Sequence, residues 1–369
     1  MPQLLISTRK GLFVMQKNAG HWDHWDISAH YFAGEPVTQT LTDPRTGAWY
    51  AALRLGHFGV KLHKSDDQGK NWRELVAPAF STKPTTGTWA DDPTPWSVEL
   101  LWALAAGGAD QPGRLWAACM PAGVFRSDDA GESWQLCESF WLDEKRKQWM
   151  GGGNDHPGAH TLIVDPRDAN HVTVAISCGG LWTTHDAGAS WQSIGQGMRA
   201  DFMPPELANE PNVQDPHRIS LCIAEPNVMW MKLHFGMYRS EDHGLNWRKL
   251  PAAPGIGDFG FPVVADPVNP LRAWYVPAQA DSHRYAPSAR MCVLRTDDGG
   301  QTWAVLREGL PQAHAYDLVY RHGLALAPDR QTLAIASTTG NLWMSHNAAE
   351  TWQLSTAHLP PIAAVAFAA

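Results

Sequence analysis

One octet recurs along this chain and constrains its fold more than any other feature. Ser65-Asp66-Asp67-Gln68-Gly69-Lys70-Asn71-Trp72 returns as Ser127–Trp134, Thr184–Trp191, Ser240–Trp247 and Thr296–Trp303, always with Asp, Gly and Trp at the same places. A sixth copy, Ser345–Trp352, is eroded, with Asn347 for the Asp and Ala349 for the Gly. A seventh survives only as a length: Gly11 to Trp22 spans as many residues as Gly180 to Trp191, with Lys17 at the Asp position. The closing tryptophans are 49 to 62 residues apart. A fixed period of this size marks a repeat architecture built from one supersecondary unit.

The octet has the chemistry of a turn between two antiparallel strands. A short Asp side chain accepts bonds from turn N–H groups, and Gly supplies a positive φ. The hydroxyl ties strand to turn, and Trp lays an apolar plate over the hairpin. These aspartates therefore read as structural clasps and not as catalytic carboxylates. Each repeat also carries an alternating strand before the octet (Gly236 to Ser240), an apolar run before that (Val172 to Ile176), and a run ending in Asp-Pro or a variant (Thr161 to Pro166). A fourth strand follows the Trp. Short strands bounded by Gly, Pro and Asp predict an all-β chain, and four strands repeated seven times predict a seven-bladed β-propeller over 1–369 as one domain. The ends complete one another. Gln3 to Ser7 reads as a second strand and Ile362 to Phe367 as an orphan first strand, so one blade is closed by both termini.

The octet resembles the Asp-box (BNR) repeat of the sialidase-type, xyloglucanase-type and sortilin-type β-propellers, over essentially the whole chain. The resemblance implies a glycosyl-hydrolase-like propeller. It does not carry sialidase chemistry across, because the Arg-Ile-Pro motif of those enzymes is absent and no residue set matches their arginine triad. Xyloglucanase-type relatives work in a cleft between two propellers, and this chain is long enough for one. A propeller that assists photosystem II assembly resembles the same repeat and has no catalytic role.

Charge narrows the partners. A net charge of −8 argues against nucleic acid. No run reaches the roughly 18 apolar residues of a membrane span. No signal-peptide pattern is visible, and the five cysteines form neither a metal spacing nor an even set. The expectation is a cytoplasmic protein with reduced thiols.

Function is expected opposite the clasps, in the long loops 75–97, 137–159, 194–216, 278–290 and 306–321. His57 and His234 occupy equivalent positions there, with Arg9 as their counterpart in the first hairpin. His160 and His322 each stand six residues before a turn Pro, and Asp215, His217 and Arg218 lead into another inner strand. The sequence assigns His160, His217, Asp215 and Arg218 to acid–base catalysis. Arg9, His57, His234, His322 and Arg284 are assigned to binding a glycan or small polar ligand, with arginine holding an anionic group. The histidines at 57, 160, 217, 234 and 322 could together hold a divalent metal, though no short ligand motif supports one. Asp155, His156, Asp258, His283 and Asp317 lie in the surrounding loops. Trp89, Trp96, Trp102, Trp141 and Trp149 could stack on sugars or on a protein partner, or could pack their loops down. The Gly151-Gly152-Gly153 run lacks a phosphate-loop pattern, and Glu138 to Met150 reads as a short helical insertion. Two functions follow: an enzyme of hydrolase or lyase type, or a non-catalytic scaffold.

Overall fold

The computed structural model describes residues 2–17 and 24–368. Trp22, the Trp of the weakest repeat, lies outside the described residues. Among the described residues the strands form seven four-stranded antiparallel sheets, the fold class of a seven-bladed β-propeller. They fall into two compact units. One comprises residues 38–216 and the other residues 1–37 with 217–369.

The first unit holds three blades. Their innermost strands are Val37–Thr42, Leu100–Ala106 and Gly158–Asp165. The second unit holds four, and one of these joins the two ends of the chain. In that blade Ile362–Phe367 pairs antiparallel with Gln3–Thr8, with Leu4 opposite Phe367 and Ile6 opposite Val365. Gly11–Lys17 and Trp25–Tyr31 complete it. The expected closure by both termini is the observed one.

The hydrophobic core lies between neighbouring blades of each unit. One cluster joins Trp116, Val124, Val174 and Trp182; another joins Trp274, Val293, Ile335 and Trp343. The box tryptophans do more than cover their own hairpins. Trp191 meets the fully buried Trp116 of the preceding blade edge to face, and Trp303 meets Trp230 and Tyr275 in the same way. Each is a wedge between blades.

Two sets of turns hold the blades in register. In the boxes, Ser65 Oγ donates to Asp67 Oδ1 (2.8 Å) and accepts from Gly69 N (2.8 Å). Asp67 also accepts from the backbone and side chain of Asn71. Two consecutive residues, not one, sit at positive φ: Gln68 and Gly69, Ala130 and Gly131, Ala187 and Gly188. The Asp-Pro turns bury their carboxylates. Arg45 clasps Asp43 through both guanidinium edges and donates to the carbonyls of Gln111 and Arg114 in the next blade. Arg330 reaches back to buried Asp266 in the same bidentate fashion. All five cysteines are buried free thiols.

Candidate functional site

In the larger unit, three segments converge around one phenylalanine. Strand Pro216–Leu221 carries His217, 2% exposed, whose ring stacks on Phe261 at 4.5 Å between centroids. Its Nδ1 lies 2.6 Å from the carbonyl oxygen of Gly260. A carbonyl only accepts, so Nδ1 carries a proton.

His234 occupies the turn between strands Met229–Leu233 and Gly236–Ser240. That turn is pinned from below by Lys232, a fully buried ammonium. Its Nζ donates to the carbonyls of Leu233 (2.6 Å), Gly236 (3.1 Å) and Asp258 (2.5 Å). A buried charge is tolerated only when it is bonded in this way. One side chain therefore fixes both the His234 turn and the 258–260 segment that orients His217. The two imidazoles meet edge to face, 5.1 Å apart.

The long loop after strand Ala273–Pro277 supplies the charges. Asp281 Oδ2 stands 3.6 Å from His234 Nε2. Its Oδ1 accepts from Arg284 Nη2 at 2.7 Å, and Arg284 Nε donates to the Asp281 carbonyl at 3.0 Å. Burial works against the charge on Arg284, but bonds to Asp281 and Tyr320 prevail and hold its pKa above the ordinary value. The guanidinium groups of Arg284 and Arg321 lie 5.6 and 5.3 Å from the centroid of Phe261, and Tyr320 meets the same ring edge-on. Phe259 walls the two histidines.

The residues expected from sequence divide. His217, His234 and Arg284 come together here. His322 stands at the mouth of the next inner strand, where its carbonyl accepts from Val365 N at 2.9 Å. Arg218 lies beside His217 on the same strand, and burial pulls its pKa down to about 10. Asp215 is buried and accepts from Ser177 Oγ at 2.6 Å. His160 requires correction as a catalytic and metal-binding residue. It is wholly buried, with Nδ1 at 2.8 Å from Thr161 Oγ1 and Nε2 at 2.8 Å from the Pro216 carbonyl, against the edge of Trp102. Both nitrogens serve packing, so no lone pair remains for a metal. Arg9 and His57 are exposed on their own turns, His57 against Phe58.

The surrounding loop residues also have local partners. His156 faces Glu99 at 3.7 Å, His283 bonds Ser282, and Asp317 accepts from Asn341 and Thr339. The loop tryptophans form no open stacking platform. Trp89, Trp141 and Trp149 are at most 9% exposed, and Trp96 donates to Asp92. Asp281, Lys232, Phe261, Tyr320 and Arg321 were not anticipated. One signal was present: Lys232 interrupts the otherwise apolar run Met229 to Leu233.

Comparison with known proteins places this geometry in context. No family model matches the chain. Xyloglucanase Xgh74A of Acetivibrio thermocellus is 22% identical over 331 residues, which is 76% of this chain and 34% of that protein. The GH74 xyloglucanase of Xanthomonas campestris superposes with a TM-score of 0.62 at 16% identity, over 95% of this chain and 52% of the other. The fold is a seven-bladed β-propeller similar to those of GH74 xyloglucanases. The chain spans about a third of the length of the curated relatives it matches. YCF48 from Cyanidioschyzon merolae shares the fold, with a TM-score of 0.54 at 10% identity over 88% of this chain and 87% of its own.

Proposed function

We propose that the chain is a glycan-active enzyme of glycoside-hydrolase or lyase type, working at the face built by His217, His234, Asp281 and Arg284. The observation that carries this reading is the ordered contact from Arg284 through Asp281 to His234. A guanidinium fixes one carboxylate oxygen and the other faces an imidazole nitrogen. A carboxylate so placed orients the ring, which suits His234 to proton transfer. His217, oriented through Nδ1 by the Gly260 carbonyl, places a second imidazole beside it. Arg284, whose side chain reaches solvent at the edge of this cluster, is suited to an anionic group of a sugar. The similarity to xyloglucanases supports a glycan as the substrate class.

The test is a turnover screen of the purified protein on xyloglucan, neutral oligosaccharides and acidic oligosaccharides, scored by new reducing ends and new double bonds. Wild type turns over at least one of them. His234→Gln and Asp281→Asn lower kcat by about 10²-fold or more without a change in folding. Equal rates in wild type and both variants overturn the site. A wild type inert on every substrate favours the non-catalytic binding propeller instead.

A further inference from the structure

We propose that the tyrosine pair Tyr285–Tyr316, with Arg284 and Tyr320, forms a subsite for a uronic-acid unit of a glycan. The inference rests on the reading of this face as glycan-active and names the class of glycan, one that carries carboxylates.

The aromatic surface is the first observation. Tyr316 is 62% exposed and Tyr320 37%. The Tyr316 ring meets that of Tyr285 at 5.6 Å between centroids, inclined by 57°. Trp89, Trp141 and Trp149 are packed away in their loops, whereas these rings present area to solvent. A ring with a polar tip suits a ligand that is apolar on one face and hydroxylated at its rim, as a pyranose is.

The loops hold the pair in place before any ligand arrives. Gln279 N donates to the Tyr285 carbonyl at 2.7 Å, and Gln279 Oε1 accepts from Ser288 N at 2.7 Å. Ala315 N donates to the Ala289 carbonyl at 3.0 Å, and Gln312 Nε2 to that of Met291 at 2.8 Å, so the two loops that carry the tyrosines are stitched together. The stitching keeps Ser288, Ala289 and His314 at φ of 53°, 52° and 53°. Residues with a side chain adopt this left-handed conformation only at a cost, and strain of this kind gathers at ligand sites.

Charge selects the ligand. Loops 278–290 and 306–321 carry four arginines against three acidic residues, in a chain whose net charge is −8. Arg284 joins the rings to the proposed centre. Its guanidinium donates to the Asp281 carbonyl and carboxylate and bonds Tyr320, which leaves donors of the fork unused on a side chain 36% exposed. Asp281 offsets part of its charge, and Arg321, 5.3 Å from the Phe261 centroid, adds a second cation beside the same ring. A planar fork matches a carboxylate better than a hydroxyl. Tyr320, bonded to Arg284, sets an exposed ring directly beside that fork. Aromatic plate and carboxylate fork together fit a sugar that bears an acid group.

The experiment titrates the whole chain calorimetrically with oligogalacturonate, with the same oligosaccharide methyl-esterified, and with neutral cello-oligosaccharide. New reducing ends and new double bonds are assayed in the same samples. The expected result is a Kd of about 100 μM or tighter for the acid, at least about 10-fold tighter than for its ester, and weakening as salt rises. Arg284→Met abolishes the preference for the acid, and Arg284→Lys, which keeps the charge without the fork, restores only part of it. Tyr316→Ala weakens the acid about 10-fold and leaves the preference over the ester in place. It is the safe variant, because so exposed a side chain is not needed for folding. Arg248→Met, which removes an exposed cation from the strand after a box, changes nothing. Equal affinity for acid and ester, or affinity unmoved by the Arg284 and Tyr316 substitutions, overturns the subsite. Binding of none of the three also overturns it and leaves the tyrosine pair to a protein partner. The outcomes separate the two proposals. Preferential binding of the acid without turnover sinks the proposed activity alone. Cleavage of a neutral glycan by a protein that does not distinguish acid from ester sinks the subsite alone.

Discussion

Arg146 shows how single residues decide what the loops are for. Its guanidinium lies between the rings of Trp89 (4.3 Å) and Trp141 (3.9 Å) and pairs with Asp92 at 2.6 Å, both partners nearly inaccessible to solvent. Burial alone would push the Asp92 carboxyl up, but Arg146, Thr94 N and Trp96 hold it below its usual range. One planar cation thereby sews loop 75–97 to the Glu138–Gln148 insertion and uses up the aromatic faces that a sugar would need. Composition and position could not separate these roles, because a packed indole and a ligand-stacking indole look alike in sequence. Arg146→Met leaves a buried carboxylate without its cation and is expected to cost about 3 kcal/mol in chemical denaturation. Adding Asp92→Asn recovers part of that loss, and two independent costs that simply add would refute the coupling. Asp281 was hidden for a related reason. It sits in an irregular loop where only the fold brings it to His234, whereas His217 and His234 occupy repeat positions that aligning the blades could mark.

At the scale of the element, the box was legible almost atom by atom, since its bonds are local. Hydroxyl, carboxylate and glycine stand within five residues, and the structure bonds them as their spacing requires. What the spacing did not give was the second left-handed residue or the wedge role of the Trp, because the wedge depends on the neighbouring blade. The boxes also set an acid limit. Bonds from Asn71, Ser190 and Thr302, side chain first and backbone next, hold Asp67, Asp186 and Asp298 at about 2, against an ordinary 3.8. A lowered folded-state pKa means that the stabilisation is complete above about pH 4 and is lost as pH falls towards 2. The thermal midpoint should therefore be level near neutrality and drop below pH 4. The eroded box already contains the control: Asn347 accepts from Ser345 Oγ and Thr351 N without a titrating group. Asp298→Asn is expected to lose less than about 1 kcal/mol at pH 7, as suits an exposed turn. Its midpoint should converge with wild type near pH 2. Parallel curves across that range would show that the carboxylate is not the titrating clasp.

For the whole molecule, the deciding pairing is the one between its two ends. The blade count was legible because the period repeats, and the closure because two orphan strands were left over, one at each end. The site was less legible, because convergence of loops is a property of the assembled blades and of no segment alone. Leu4 and Ile6 are fully buried in a cluster that Ile362 and Val365 help to form. Removing residues 361–369 takes away two buried aliphatic side chains worth about 3–5 kcal/mol together. It also exposes the backbone edge of Gln3–Thr8, which then invites pairing between chains. The truncated protein is expected to melt at lower temperature and to associate in light scattering. Loss of chain and loss of pairing must be told apart, and the register allows it. Leu4 lies opposite Phe367, and Ala368 N donates to the Gln3 carbonyl at 2.9 Å, so the end of the last strand already stands beside the start of the first. Moving residues 361–368 ahead of Gln3 through an Asn-Gly turn makes the pair an ordinary hairpin. This permuted chain should regain the wild-type midpoint and stay monomeric. If it melts as low as the truncation, the strand stabilises the blade by something other than its pairing with Gln3–Thr8, and closure by the termini is not what holds that blade together.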